Sequence, residues 1–171
     1  MTLLRHLFAV AALPFVMAVL VPAWIARDNG ITLRVAATVP GLSLQILGVL
    51  VLAVGLTLFV SSLRRFANDG KGTLAPWDPP RHLVVRGPYR FVRNPMISGV
   101  VLVLLGQSLI LLSPAHLMWT AIFFGINAVY IPLLEEPQLA TRFGAEYDTY
   151  KQHVPRLIPR VRPWSPISHD G

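Results

Sequence analysis

The chain has 171 residues, 54% of them hydrophobic and 13% charged, with a mean hydropathy of +0.57; a soluble domain carries about a quarter charged residues. That balance excludes an ordinary water-soluble domain and predicts an all-α integral membrane protein folded as one bundle. With no cysteine, disulfide and thiolate chemistry are excluded, and a net charge of +7 carried by basic residues that flank apolar runs points to anionic lipid headgroups rather than nucleic acid.

The first apolar stretch runs from Leu7 to Ala26, matching the roughly 20 residues that a spanning helix needs. Pro14 and Pro22 predict kinks in it, with neighbouring helices satisfying the carbonyls they free. A cleaved signal peptide is the competing reading, built on Arg5, the apolar core and small residues near Ala23 and Ala26. Cleavage would leave three spans.

The second stretch runs from Val39 to Leu63, and a long polar connection, residues 64–95, follows it. Asn68-Asp69-Gly70-Lys71-Gly72-Thr73 is rich in turn residues, and Pro76-Trp77-Asp78-Pro79-Pro80 is stiff and extended. The Gly-Lys-Gly-Thr run lacks the spacing of a phosphate-binding loop, and no Gly-x-Gly-x-x-Gly occurs. His82-Leu83-Val84-Val85 precedes a turn at Arg86-Gly87-Pro88; Tyr89, Arg90 and Arg93 then lead to Asn94-Pro95, which read as N-cap and first helical residue.

The third stretch, Met96 to Leu112, and the fourth, Ala115 to Leu134, are joined only by Ser113-Pro114 and predict a tight helical hairpin. Glu135 and Glu136, two of only eight acidic residues, end it. Folding the hairpin brings them beside the Gly87–Pro95 cluster. Carboxylates at a helix C-terminus oppose the macrodipole, so an arginine or a bound cation is expected there. The segment Pro137 to Lys151 reads as one short helix with Leu139, Phe143, Tyr147 and Tyr150 on one face and Gly144 allowing close approach. It fits on the membrane or over the loop, its rings at headgroup level, with Val154 to Pro159 extended beyond it.

The charges set the topology. Thirteen basic residues fall on one side of the four spans and two, Arg27 and Arg34, on the other. This positive-inside pattern predicts a multi-pass protein with both termini and both polar clusters cytoplasmic. The chain reads as a single domain, with two N-terminal spans (1–63), a cytoplasmic loop (64–95), a hairpin (96–134) and a cytoplasmic C-terminal segment (135–171). No metal is expected: the five histidines are scattered and no ligand spacing recurs. His116, at the hairpin turn on the other side, is a weak haem ligand.

Gly87-x-Tyr89-x-x-x-Arg93-Asn94-Pro95, the hairpin, then Glu135-Glu136-x-x-Leu139-x-x-x-Phe143-Gly144-x-x-Tyr147-x-x-Tyr150-x-x-x-Val154-Pro155-Arg156 resembles the isoprenylcysteine carboxyl methyltransferase family. Phospholipid N-methyltransferases are similar in the same region. The resemblance covers residues 68–160 and implies a helical membrane bundle, about four spans in a bacterial inner membrane, with an S-adenosyl-L-methionine site on the cytoplasmic side. It maps the cofactor segment to Arg81, His82, Leu83 and Val84, the turn tyrosine to Tyr89, the Arg-His-Pro-x-Tyr motif to Arg93, Asn94, Pro95, Met96 and Ile97, and the first acid of the pair to Glu135. Ile97 departs from the motif's tyrosine. Ile131 stands where prenylcysteine enzymes place an arginine for the acceptor carboxylate.

Charge complementarity agrees with the mapping. Glu135 suits the cofactor's ammonium, Arg93 or a helix amide its carboxylate, and Leu83, Val84 and Tyr89 its adenine. Arg156 could supply charge to an acceptor, and Glu136 or His82 could take a proton from an amine acceptor; no dedicated base is evident. The expected partners are membrane lipids and a lipophilic acceptor, either a small molecule or a lipid-anchored group. Two other readings are a membrane reductase using NADPH, because steroid-reductase-like C-terminal regions look similar, and a non-catalytic protein keeping the scaffold.

Overall fold

The computed structural model describes residues 14–69 and 83–165. The start of the first span, residues 70–73, all of Pro76–Pro80, and the cofactor residues expected at Arg81 and His82 lie outside them. Among the described residues the fold is all-helical, with no strand.

The first helix enters through a widened π turn, Val16–Leu20, and continues as α1, Val21–Asp28. The widening has a local cause. The Val21 N–H bonds to the Val16 carbonyl, one residue beyond the α register, and Pro22 has no N–H to give. The Met17 and Ala18 carbonyls therefore lose their ordinary donors. Trp119 Nε1 donates to Met17 O at 3.0 Å and Gln107 Nε2 to Ala18 O at 2.9 Å, as expected of a proline break supported by its neighbours. Removing one such donor is expected to cost about 0.6–1.7 kcal/mol in an apolar setting. Trp119→Phe should thus lower the thermal midpoint in detergent while leaving the helical circular dichroism signal unchanged. His116 completes the attachment: its Nε2 lies 3.2 Å from Pro22 O and its Nδ1 2.9 Å from Ser113 Oγ. Both ring nitrogens are engaged, which leaves this buried histidine no free ligand atom.

Helix α2, Val39–Asp69, packs along α3, Pro95–Ile110. Glycines make this contact intimate. A Cβ on Gly55 would sit 2.7 Å from Val103 N and 2.8 Å from Gly99 O, and one on Gly106 would sit 2.7 Å from Leu52 N. The two backbones touch, and dispersion contact replaces the hydrophobic drive that lipid removes. Helix α4, Pro114–Tyr130, follows a turn in which Leu112 adopts a left-handed φ of 48° and Ser113 Oγ accepts from His116 N at 3.3 Å. The predicted hairpin is present, capped by serine with proline in the first turn.

The chain then continues through a second π turn, Ile131–Glu135, into α5, Glu136–Phe143. It repeats the first break: the Glu136 N–H bonds to Ile131 O, and Pro137 follows. The single helix predicted from Pro137 to Lys151 is instead two. Gly144, at φ 52° and ψ −131°, ends α5, and α6 runs Ala145–His153. That backbone geometry favours glycine, so Gly144→Ala is expected to destabilise by about 1–3 kcal/mol, measurable as a lower unfolding temperature.

Two helical runs, Val39–Arg65 and Pro114–Phe143, are long and apolar enough to cross a membrane, whereas Pro95–Ile110 is shorter. Their outward faces carry exposed apolar side chains, among them Leu50 at 60%, Val54 at 58% and Ile126 at 59%. A continuous apolar exterior of this kind fits lipid rather than water.

Candidate active site

The residues after α6 return across the 89–98 segment as a strap. Arg93 N donates to Pro155 O at 2.8 Å and Asn94 N to Arg156 O at 3.1 Å. Ser98 Oγ donates to Leu157 O at 2.7 Å, and Tyr150 Oη to Tyr89 O at 2.6 Å. Arg160 N then reaches Phe91 O, and Trp164 N reaches Arg90 O, each at 2.9 Å. Beneath the strap, Tyr147, Tyr150 and Val154 form a buried cluster against Leu83, Val85 and Leu139. The tyrosine face of α6 is thus turned inward, against the 83–85 segment and beneath the strap. Burial is the main cause that pushes the Tyr147 and Tyr150 hydroxyls above their usual range.

Glu136 is the centre of this arrangement. Its side chain is 4% exposed and faces Arg93 at 2.8 Å, Lys151 at 3.5 Å and Arg156 at 2.6 Å. Arg156 grips both carboxylate oxygens, through Nε and through Nη2 at 3.0 Å, and that hydrogen bond is the first cause that raises its own ionisation. The fork is the strong geometry for such a pair. Arg93 also donates to Tyr147 Oη at 3.3 Å, while among the described residues its buried Nε has no hydrogen-bond partner. Three elements (the segment leading into α3 through Arg93, α6 through Lys151 and the strap through Arg156) thus converge on one carboxylate at the start of α5.

Glu135, one residue earlier, has the opposite character. It is half-buried, and among the described residues no hydrogen bond or ion pair reaches its carboxylate. It lies close enough to Tyr89 that its charge, after burial itself, pushes the Tyr89 hydroxyl above its usual range. At the same helix end, Pro137 has no N–H for the Leu133 carbonyl, and no side chain donates to the Pro132 or Leu133 carbonyl among the described residues.

The expected residues separate accordingly. Val84, Tyr89 and Pro95 are buried, Leu83 packs on the tyrosine cluster, and Met96 is half-buried. Asn94 holds the N-cap position, but its side chain does not cap; its Nδ2 reaches Arg156 O at 3.4 Å. Ile97 packs against the Val100–Leu104–Phe123 core of the bundle, which explains why an aliphatic residue suits that position here. Ile131 is fully buried at 1% exposure, so no cation stands where the prenylcysteine pattern places one. Glu136 and Arg156, expected at the acceptor, pair with each other through both carboxylate oxygens and the Nε and Nη2 of the guanidinium. Lys151 was not expected in the cluster, and Tyr147 was expected on a helix face but not as a partner of Arg93; their i, i+4 spacing on one face of α6 was the available signal. Among the described residues no group of histidine and acidic side chains is arranged to hold a metal.

The profile of the family described as phospholipid methyltransferase matches residues 44–146, from α2 into α6. Methanethiol S-methyltransferase 2 of Bradyrhizobium diazoefficiens is 33% identical over 76 residues, which is 43% of this chain and 27% of that protein. The matched stretch thus spans about a quarter of the relative's length. No solved structure matches the chain. Fold and profile agree: the chain belongs to the phospholipid methyltransferase family.

Proposed function

We propose that the protein transfers a methyl group from S-adenosyl-L-methionine to a lipophilic acceptor at the cytoplasmic face of a bacterial inner membrane. One observation carries this reading. Of two adjacent carboxylates, Glu136 is neutralised by three cations, while Glu135 is half-buried beside Tyr89 and unpaired among the described residues. A partly desolvated carboxylate without a partner is costly, and a cationic ligand removes that cost. Glu135 with the neighbouring carbonyls suits an ammonium. Arg93, held by Glu136 and Tyr147, keeps a buried donor for a carboxylate, and Val84 and Tyr89 supply apolar surface for the adenine, with Leu83 backing them and Arg81 and His82 completing the segment.

When bound, S-adenosyl-L-methionine supplies an electrophilic methyl group on sulfonium sulfur. The protein's task is then alignment and exclusion of water; an acceptor that is already anionic requires no acid–base residue, whereas a lipid amine or a thiol must give up a proton, with His82 the candidate to take it. The absence of a cation at Ile131 favours a neutral acceptor, a lipid amine or a thiol of the kind in the relative's name, over a prenylcysteine carboxylate. We further propose four spans in one domain with both ends cytoplasmic, resting on the thirteen-to-two distribution of basic residues.

Calorimetric titration of S-adenosyl-L-methionine into detergent-purified protein tests the reading. Saturable binding of this cofactor with none of NADPH is the expected result. Binding of NADPH alone would move the protein to the reductases, and binding of neither by folded protein would leave a non-catalytic scaffold.

A further inference from the structure

We propose that the strap segment Leu157–Arg162 is a membrane-surface docking element that seats on anionic lipid headgroups. Ile158 is 77% exposed and Val161 95% exposed, although both belong to a segment fixed at both ends. Ser98 Oγ holds the Leu157 carbonyl. Arg160 N and Trp164 N bond to Phe91 and Arg90 carbonyls, and Trp164 stacks on His153 with ring centroids 5.2 Å apart. Two apolar side chains are thus held outward on a rigid loop.

The attachment gives the depth. Ser98 lies in the first turn of α3, the apolar helix that follows the polar cluster, so Leu157 and Ile158 sit beside the level where that helix leaves the polar region. Apolar side chains at such a border enter the acyl boundary, while basic neighbours remain among the headgroups. The charge matches: from Thr149 to Ser165 the chain carries Lys151, Arg156, Arg160 and Arg162 and no acidic residue. Lys151 and Arg156 are engaged by Glu136, but Arg160 bonds a neutral carbonyl, that of His153, and keeps its full charge. Arg162 is exposed. Each basic residue near an anionic surface strengthens association about fivefold, so two of them with two apolar contacts favour an anionic bilayer over a neutral one.

The absence of cysteine gives a clean test that is independent of the cofactor reading. Val161→Cys, and separately Ile158→Cys, is spin-labelled and reconstituted, one copy per nanodisc, in phosphatidylcholine alone or with phosphatidylglycerol. Unchanged melting temperatures verify the fold. The expected result is a label accessible to oxygen in the anionic discs, several-fold more accessible to a water-soluble relaxant in the neutral ones, with the difference reduced by Arg162→Gln. A label accessible to water in both lipids overturns the proposal. Equal immersion in both also overturns it.

Discussion

Glu136→Gln is expected to destabilise the protein by about 3–5 kcal/mol, the range for removing one partner of a buried ion pair, and to lower its unfolding temperature in detergent more than any other single change considered. The cost comes from what remains. Arg93, with a side chain 8% exposed, would lose the carboxylate 2.8 Å away, and Arg156 would lose both arms of its fork. Three cations would then face one another without a counterion. The effect should spread along the strap, because Arg156 and its neighbours hold the backbone of Arg93 and Asn94. A double-mutant cycle with Arg156→Gln checks the mechanism: the second change should cost much less in the Glu136→Gln background than alone. Additive costs would show that the fork is not the coupling contact.

Gly55→Val is the second large effect, expected at about 3 kcal/mol, the upper part of the range for overpacking. The new side chain would meet backbone, Val103 N at 2.7 Å and Gly99 O at 2.8 Å, and backbone cannot rotate away as a side chain can. Helices α2 and α3 must separate, and the dispersion contacts around the crossing go with them. Gly125→Ala is the internal control. No atom lies within 4 Å of its added Cβ, so it should be neutral or stabilise by about 0.5–1 kcal/mol through helix propensity. Thermal unfolding of both variants, followed by loss of the monodisperse gel-filtration peak, separates them.

The sequence made the apolar helices, the Ser113-Pro114 turn and the meeting of the two polar clusters legible, because each is written in runs of residues with one local meaning. Pro22 even announced its freed carbonyls, though not that Trp119 and Gln107 would satisfy them. The division between Glu135 and Glu136 could not be read. A π turn adds a residue to one turn of helix and rotates everything beyond it by about 100°, so α-helical spacing carried from α4 through Pro132 assigns the wrong face. The strap was equally hidden, since its bonds run from backbone to backbone and impose little on side-chain identity. Gly144 was taken as a point of close approach, whereas its positive φ ends a helix. The α2–α3 glycines did carry a signal, Gly48 with Gly55 and Gly99 with Gly106, each pair seven residues apart. That regularity places small residues on one helical face.

The most direct test of the account compares Glu135→Gln with Glu136→Gln, reading S-adenosyl-L-methionine affinity by titration and stability by thermal unfolding on the same samples. The account predicts that Glu135→Gln loses at least tenfold in affinity while its unfolding temperature holds or rises, because an unpaired, partly buried charge has been removed. Glu136→Gln should lose stability first. Equal losses of stability in the two variants, or undiminished cofactor binding by Glu135→Gln, would contradict the assignment of Glu135 to the ligand and Glu136 to the fold.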